Sequence, residues 1–370
     1  MKVVYNSFAG RYSDNPRAIY EALVARGDDL DHVWLADSHH LHGFPASAAT
    51  VPFESDGARR ALESADVVVS NTHIDRDWDK APGTVYLQTW HGTPLKRIHF
   101  DAIGLPTPRT QRLTDDVERW DHLLSPSRAG SVPLQRAFGY RRPMAETGYP
   151  RNDVLKSAEG AIVRAAMRRR LGIGDDKKVV LYAPTWRDDL NDPELFPLQL
   201  DLEAFERRLG RDHVLLLRLH YFDSARVGDV DGPCIRNVSM HPEISDLYLA
   251  ADALVTDYSS AMFDFAVTGK PIIFFTYDLA HYRDTLRGFY FDFLADGAPG
   301  PVLATSDQVL DAIADLAVPT AQEAYAEAYG GFRARFCHLD DGGATARVLE
   351  RVFPVQPFRS LAPSATLARQ

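Results

Sequence analysis

Short apolar runs alternate along this chain with longer amphipathic stretches, and that alternation restricts the fold more than any other feature of the sequence. Runs this short suit strands buried on both faces, while the stretches between them carry the spacing of helices laid against a sheet. Strand, helix and strand in succession build a parallel sheet. Strands are expected at 2–5, 66–70 and 84–90, with a helix at 15–26 begun by Asp14-Asn15-Pro16. A basic helix at 161–171 opens a second series, whose strands fall at 179–183, 214–219, 253–256 and 272–275. The expected fold is α/β, with two Rossmann-type domains facing each other across a cleft. The expected division is residues 1–156, residues 157–355, and a loose tail at 356–370 rich in Ser, Ala, Pro and Arg.

A chain of 370 residues is long for one core and sufficient for two. A formal net charge of −10 gives general nucleic-acid binding no electrostatic support. Two local basic clusters run against that balance: Arg164, Arg168, Arg169 and Arg170, and Arg136, Arg141 and Arg142. They read either as solvated helix faces or as a patch for an anionic membrane surface. The two cysteines, Cys234 and Cys337, lie far apart, which excludes a disulfide framework and a cysteine zinc site. The start of the chain lacks a leader-like apolar segment, and no run reaches membrane-spanning length. The expectation is a cytoplasmic protein, peripheral at the inner face of the cell membrane.

Four segments end strands with residues suited to phosphate chemistry. In TVYLQTW (84–90) followed by HGTPLK (91–96), His91 stands just past a strand, where parallel sheets place their ligands. Its near-neutral pKa suits a base for an alcohol nucleophile, although a strand-end histidine could equally bond a loop. Gly92 permits close backbone approach, Thr93 supports the turn, and Pro94 fixes it. In VTDYSS (255–260), Asp257 precedes Ser259 and Ser260 at a helix start, which reads as an anion site or as ordinary capping. Asp264, one turn further, is placed to reach a ribose. LLLRLH (215–220) brings Arg218 and His220 to a strand end, and APTWR (183–187) brings Arg187, whose fork suits a diphosphate. His39, His40 and His42 lack a carboxylate or cysteine at ligand spacing, so no metal site is expected there.

With these segments in place, the chain resembles the CDP-glycerol glycerophosphotransferase family of teichoic-acid primases and polymerases. The likeness runs through SFAGRYSDNP (7–16), QTWHGTPLK (88–96), GYPRND (148–153), APTWR (183–187), LRLH (217–220) and VTDYSS (255–260). It ends with RGFYFD (287–292), PGP (299–301) and LDDG (339–342). The resemblance implies a GT-B-like pair of domains and transfer without a metal or cofactor. The donor would be CDP-glycerol or another CDP-alditol, and the acceptor a lipid-linked or polymeric polyol phosphate. It implies catalytic roles for His91 and His220, and diphosphate binding by Arg187, Ser259 and Ser260, with Arg218 beside them. No long N-terminal extension precedes the motifs, so a stand-alone catalytic unit is expected. Two other readings stay open: a GT-B glycosyltransferase using a nucleotide sugar, and a non-catalytic polymer-binding subunit of the same fold.

Overall fold

The computed structural model describes residues 1–102, 107–185, 187, 198–219, 230–286, 288–292, 294, 297–318 and 322–354. Two sheets form the frame, and every strand pair in both is parallel. The first comprises β1 (Lys2–Asn6), β2 (Asp31–Ala36), β3 (Thr50–Pro52), β4 (Val67–Ser70), β5 (Val85–Gln88), β6 (His122–Ser125) and β7 (Ala145–Glu146). Its order is β3-β2-β1-β4-β5-β6-β7. The second comprises β8 (Lys178–Ala183), β9 (His213–Leu217), β10 (Ile235–Asn237), β11 (Ala253–Thr256), β12 (Ile272–Phe275) and β13 (Val302–Leu303), in the order β10-β9-β8-β11-β12-β13. Both are doubly wound, and each reverses direction next to its first strand, between β1 and β4 and between β8 and β11. Ligands of such sheets bind beyond the strand ends at that reversal. The central strands read VVV and LLL because both faces are covered: Val3, Val68, Leu215, Leu216 and Leu254 are fully buried.

Five helices matter to the cleft: α1 (Asp14–Arg26), α2 (Glu159–Arg170), α3 (Ile244–Ala250), α4 (Ala261–Val267) and α5 (Ala344–Val352). The strand expected to run to residue 90 stops at Gln88, because Trp90 turns left-handed at φ 52°. Three side chains hold that turn. Gln88 accepts the Trp90 amide at 2.9 Å, and Asn15 and Thr89 each donate to the Trp90 carbonyl at 3.0 Å.

The end of the chain departs from the expected division. Helix α5 lies on the first unit, where Val348, Leu349 and Phe353 join Val3, Ile19, Leu23 and Leu124 in one core. The chain therefore crosses between the units twice, and the two crossings are bonded to each other. Asp153 accepts the amides of Ala344 at 2.9 Å and Thr345 at 2.7 Å. Asp340 accepts the Tyr149 amide at 2.8 Å, and Arg347 donates to the Thr147 carbonyl at 2.8 Å.

The expected basic patch is also partly consumed. Arg164 and Arg168 turn inward to Asp252 and to the last carbonyls of α3, where a cation complements the helix dipole. Lys270 joins them on the carbonyls of Tyr248, Leu249 and Ala251. Arg169 and Arg170 remain exposed.

Candidate active site

The strand ends at the two reversals face one cleft of about 940 Å3. Phe8 and Ala9 follow β1, Thr72 and His73 follow β4, and Trp90 and His91 follow β5. From the other unit come Pro184 and Thr185 after β8, Arg218 after β9, and Ser259 and Ser260 after β11. The sequence thus placed His91, Arg218, Ser259 and Ser260 around a common space. His220 lies outside the described residues.

His91 is fixed in one tautomer. Its Nδ1 sits 2.6 Å from the Asn71 carbonyl oxygen. A carbonyl only accepts, so Nδ1 carries the hydrogen and Nε2 keeps its lone pair. The ring lies between Trp90, with centroids 4.0 Å apart, and Phe8, at 5.2 Å. Burial pushes its pKa down from 6.5 to about 4, outweighing the Asn71 hydrogen bond and the nearby Asp14 carboxylate. The imidazole is therefore a neutral base at physiological pH.

The loop after His91 is fastened to the second unit. A β carbon added at Gly92 would stand 2.7 Å from the Ser260 hydroxyl oxygen, so only glycine fits. Thr93 is buried beside it, and Leu95 enters the core of the second unit. The Arg97 amide bonds the Gly288 carbonyl at 3.0 Å, and the Tyr290 amide bonds the Leu95 carbonyl at 2.8 Å. Opposite, the Ser259 hydroxyl accepts the Ala261 amide at 3.3 Å. Arg218 donates to the His241 carbonyl at 2.7 Å and the Val238 carbonyl at 3.3 Å. No carboxylate pairs with Arg218 among the described residues. Its positive charge faces the cleft uncompensated by any ion pair there, as an anion site requires.

Two expected ligands have other work. Arg187 is 2% exposed, and its guanidinium bonds Asp257 at 2.8 Å and Asp278 at 2.7 Å inside a box of Tyr258, Tyr277 and Tyr282. It does not line the cleft. Its role is to hold Asp257, which accepts the amides of Thr185 at 2.8 Å and Tyr258 at 2.6 Å and so shapes both strand-end turns. Asp264 is likewise spoken for, since its oxygens bond Arg151 at 2.7 Å and Asn152 at 2.9 Å. It is buried in an ion-paired chain, where a ribose cannot take those oxygens without breaking it.

That chain was not singled out from the sequence. Arg151 bridges Asp264 of the second unit and Asp14 of the first, and the Asp14 amide bonds Glu243 at 2.8 Å. Asn15 accepts the Arg151 amide at 3.1 Å while holding Trp90, so the bridge and the His91 turn share a support. Asp14 and Arg151 do stand inside the SFAGRYSDNP and GYPRND segments, which was the available signal. His40, set aside as a metal ligand, lines the outer cleft with Arg11 and Asp37.

Comparison with known proteins agrees with this geometry. The profile of the family "CDP-Glycerol:Poly(glycerophosphate) glycerophosphotransferase" matches residues 1–354. The teichoic acid glycerol-phosphate transferase of Staphylococcus aureus is 40% identical over 368 residues, covering 95% of this chain and 92% of that protein. The teichoic acid poly(glycerol phosphate) polymerase of Bacillus subtilis is 35% identical, covering 96% of this chain but 49% of that longer protein. The solved wall teichoic acid polymerase TagF superposes with a TM-score of 0.85 at 34% identity, covering 95% of this chain and 88% of that one. A histidine-to-asparagine variant of TagF was also solved after a soak with CDPG, and it superposes at 0.86. A UDP-GlcNAc 2-epimerase from Neisseria meningitidis, at 13% identity and 0.56, shares the fold alone. The frame is GT-B-like, and the chain belongs to the CDP-glycerol:poly(glycerophosphate) glycerophosphotransferase family.

Proposed function

We propose that this enzyme transfers glycerol phosphate, or another alditol phosphate such as ribitol phosphate, from a CDP-alditol to an acceptor hydroxyl, releasing CMP. The observation that carries the reading is His91: a neutral imidazole whose Nδ1 is committed to Asn71, lining one cleft with Arg218, which has no ion-pair partner among the described residues. The donor diphosphate lies against Arg218, Ser259 and Ser260, with His220 contributing as the family resemblance implies. Arg187 and Asp257 support that surface from behind. His91 Nε2 takes the proton of the acceptor hydroxyl as its oxygen attacks the β-phosphorus. The bond from that phosphorus to the bridging oxygen breaks, and CMP leaves with the electron pair. Alignment and charge neutralisation carry such transfers. The reading assigns both to side chains, with no metal or cofactor.

The acceptor is a polyol phosphate, polymeric or lipid-linked, met at an anionic membrane surface. Exposed Arg141, Arg169 and Arg170 favour that docking. No helix among the described residues is long and apolar enough to cross a membrane.

The test is CMP release from CDP-glycerol and, separately, CDP-ribitol, with a glycerophosphate-primed acceptor. Acceptor-dependent CMP that His91→Asn lowers by roughly 100-fold or more supports the reading. No CMP from either donor, with the protein folded, removes it.

A further inference from the structure

Five non-glycine residues among those described turn left-handed: Phe8 at φ 45°, Ala9 at 55°, Asp14 at 64°, Trp90 at 52° and His99 at 48°. All five belong to the first unit, and Phe8, Ala9, Trp90 and His99 line the cleft. Residues with a β carbon rarely take this conformation, and it persists where the surroundings force it, most often at functional sites. Phe8 is the least expected of them. Its ring is 37% exposed, so burial of apolar surface does not account for the strain in its turn.

One residue holds that turn and the base together. Asn71, buried just past β4, accepts the Phe8 amide on Oδ1 at 2.9 Å and donates from Nδ2 to the Ser7 hydroxyl at 3.2 Å. Its carbonyl is the one that takes the hydrogen of His91 Nδ1. The Ser7 carbonyl in turn accepts the amides of Gly10 at 3.0 Å and Arg11 at 2.7 Å. A β carbon at Gly10 would stand 2.3 Å from the Asp37 amide nitrogen, so the turn is also closed against the end of β2. So fixed, it delivers the Phe8 ring to 5.2 Å from the His91 ring, with the planes 58° apart, while Trp90 packs on the same imidazole at 4.0 Å. A hydrogen bond at Nδ1 alone lets an imidazole tilt about that bond. Two aromatic neighbours limit the tilt, and with it the direction of Nε2. Phe8 also keeps water from the ring, which disfavours the charged form.

We propose that Phe8 is a positioning residue for the transfer, held in its strained turn by Asn71 so that its ring keeps the His91 imidazole dry and aimed in one direction. The proposal rests on His91 being the base, as in the function proposed above. Phe8 acts through His91 and not on the reacting atoms. The strain is set when the chain folds, before any substrate arrives, so the base needs no rearrangement during the reaction. The other groups whose charge bears on the ring, Asp14, Arg151 and His73, are not altered by changes at position 8.

Full-length Phe8→Ala, Phe8→Gly and Phe8→Leu test it. In Phe8→Ala and Phe8→Gly, kcat should fall roughly tenfold or more while the Kd for CDP-glycerol stays within about twofold of wild type. The NMR titration of the His91 ring, assigned by its loss in His91→Asn, should move up from about 4 towards 6.5. Phe8→Leu, still apolar and bulky, should recover most of the rate and keep the titration low. Phe8→Gly should melt above Phe8→Ala, because glycine takes a φ of 45° without strain. Asn71→Ala leaves Phe8 and the main-chain carbonyl in place, yet should lower kcat and raise the titration as Phe8→Ala does. An unchanged kcat and titration in Phe8→Ala overturns the proposal. So does a loss confined to donor affinity or to the KM for acceptor, which would make Phe8 a substrate contact. Phe8→Gly melting no higher than Phe8→Ala overturns the strained turn. A wild type that releases no CMP overturns the transfer reading and the proposal with it, a failure distinct from the others because it precedes any substitution.

Discussion

Gly92 and Ser260 come from opposite units and touch: a β carbon at position 92 would lie 2.7 Å from the Ser260 hydroxyl oxygen and 2.9 Å from its β carbon. The cleft is closed at this point by two small residues, and His91 is the neighbour of one of them.

Gly92→Ala should therefore push the His91 loop off the serine turn without unfolding either sheet. A fall in kcat of roughly ten- to a hundredfold is expected, with the thermal midpoint little changed. The loss should shrink when the same change is made in a Ser260→Gly background, measured against Ser260→Gly alone. Equal losses in both backgrounds would show that the contact is not the cause.

The pH dependence follows from His91. Its pKa is lowered from 6.5 to about 4 by burial, so the base form persists well into acid. The acid limb of kcat/KM should fall near pH 4, and a limb near 6.5 would count against His91 as the base. Stability carries the same sign. Between about 4 and 6.5 the unfolded chain binds a proton that the folded imidazole refuses, so the fold loses stability as pH drops through that window. His91→Asn should flatten that slope in chemical denaturation.

Asp340 runs the other way. Burial raises its carboxyl from 3.8 to about 7, with Asp264 adding to the effect. Its contribution is fully present below pH 3.8 and is lost as pH rises towards 7, because the unfolded carboxyl ionises first. Asp340→Asn keeps an oxygen for the Tyr149 amide and removes the ionisation. It should stabilise the protein at pH 8 by up to roughly 4 kcal/mol and change little at pH 4, as read from denaturant midpoints.

Arg187→Ala should act on stability before it acts on donor binding. It strands Asp257 and Asp278, at a cost of about 3–5 kcal/mol, and Asp257→Asn in the same chain should recover part of that. Arg218→Ala should do the reverse. The thermal midpoint should hold while donor affinity falls roughly ten- to a hundredfold, the range for hydrogen bonds to a charged group. Calorimetry with CDP-glycerol beside a melting curve separates the two arginines.

Much of this was legible in the chain because parallel sheets reveal their strand ends. His91, Arg218, Ser259 and Ser260 each follow an apolar run, and strand ends at a sheet reversal converge. What was hidden was the partner of each charge. Arg187 looked like a free fork until Asp278, 91 positions away, closed on it. Asp264 looked like a ribose ligand, yet its partner Arg151 is 113 positions back. The return of α5 was hidden for a related reason: an amphipathic helix shows which face it buries and not which sheet it buries it against.

That return has a mechanical consequence. A single covalent joint would let one half twist and slide as well as tilt. Here two lengths of backbone pass between the halves side by side, laced by Asp153, Asp340 and Arg347. Paired joints of this kind resist torsion between the halves. The loop that carries His91 is tied across as well, through Leu95 to Tyr290 and Arg97 to Gly288, so the fold itself keeps that imidazole in register with the Ser260 turn.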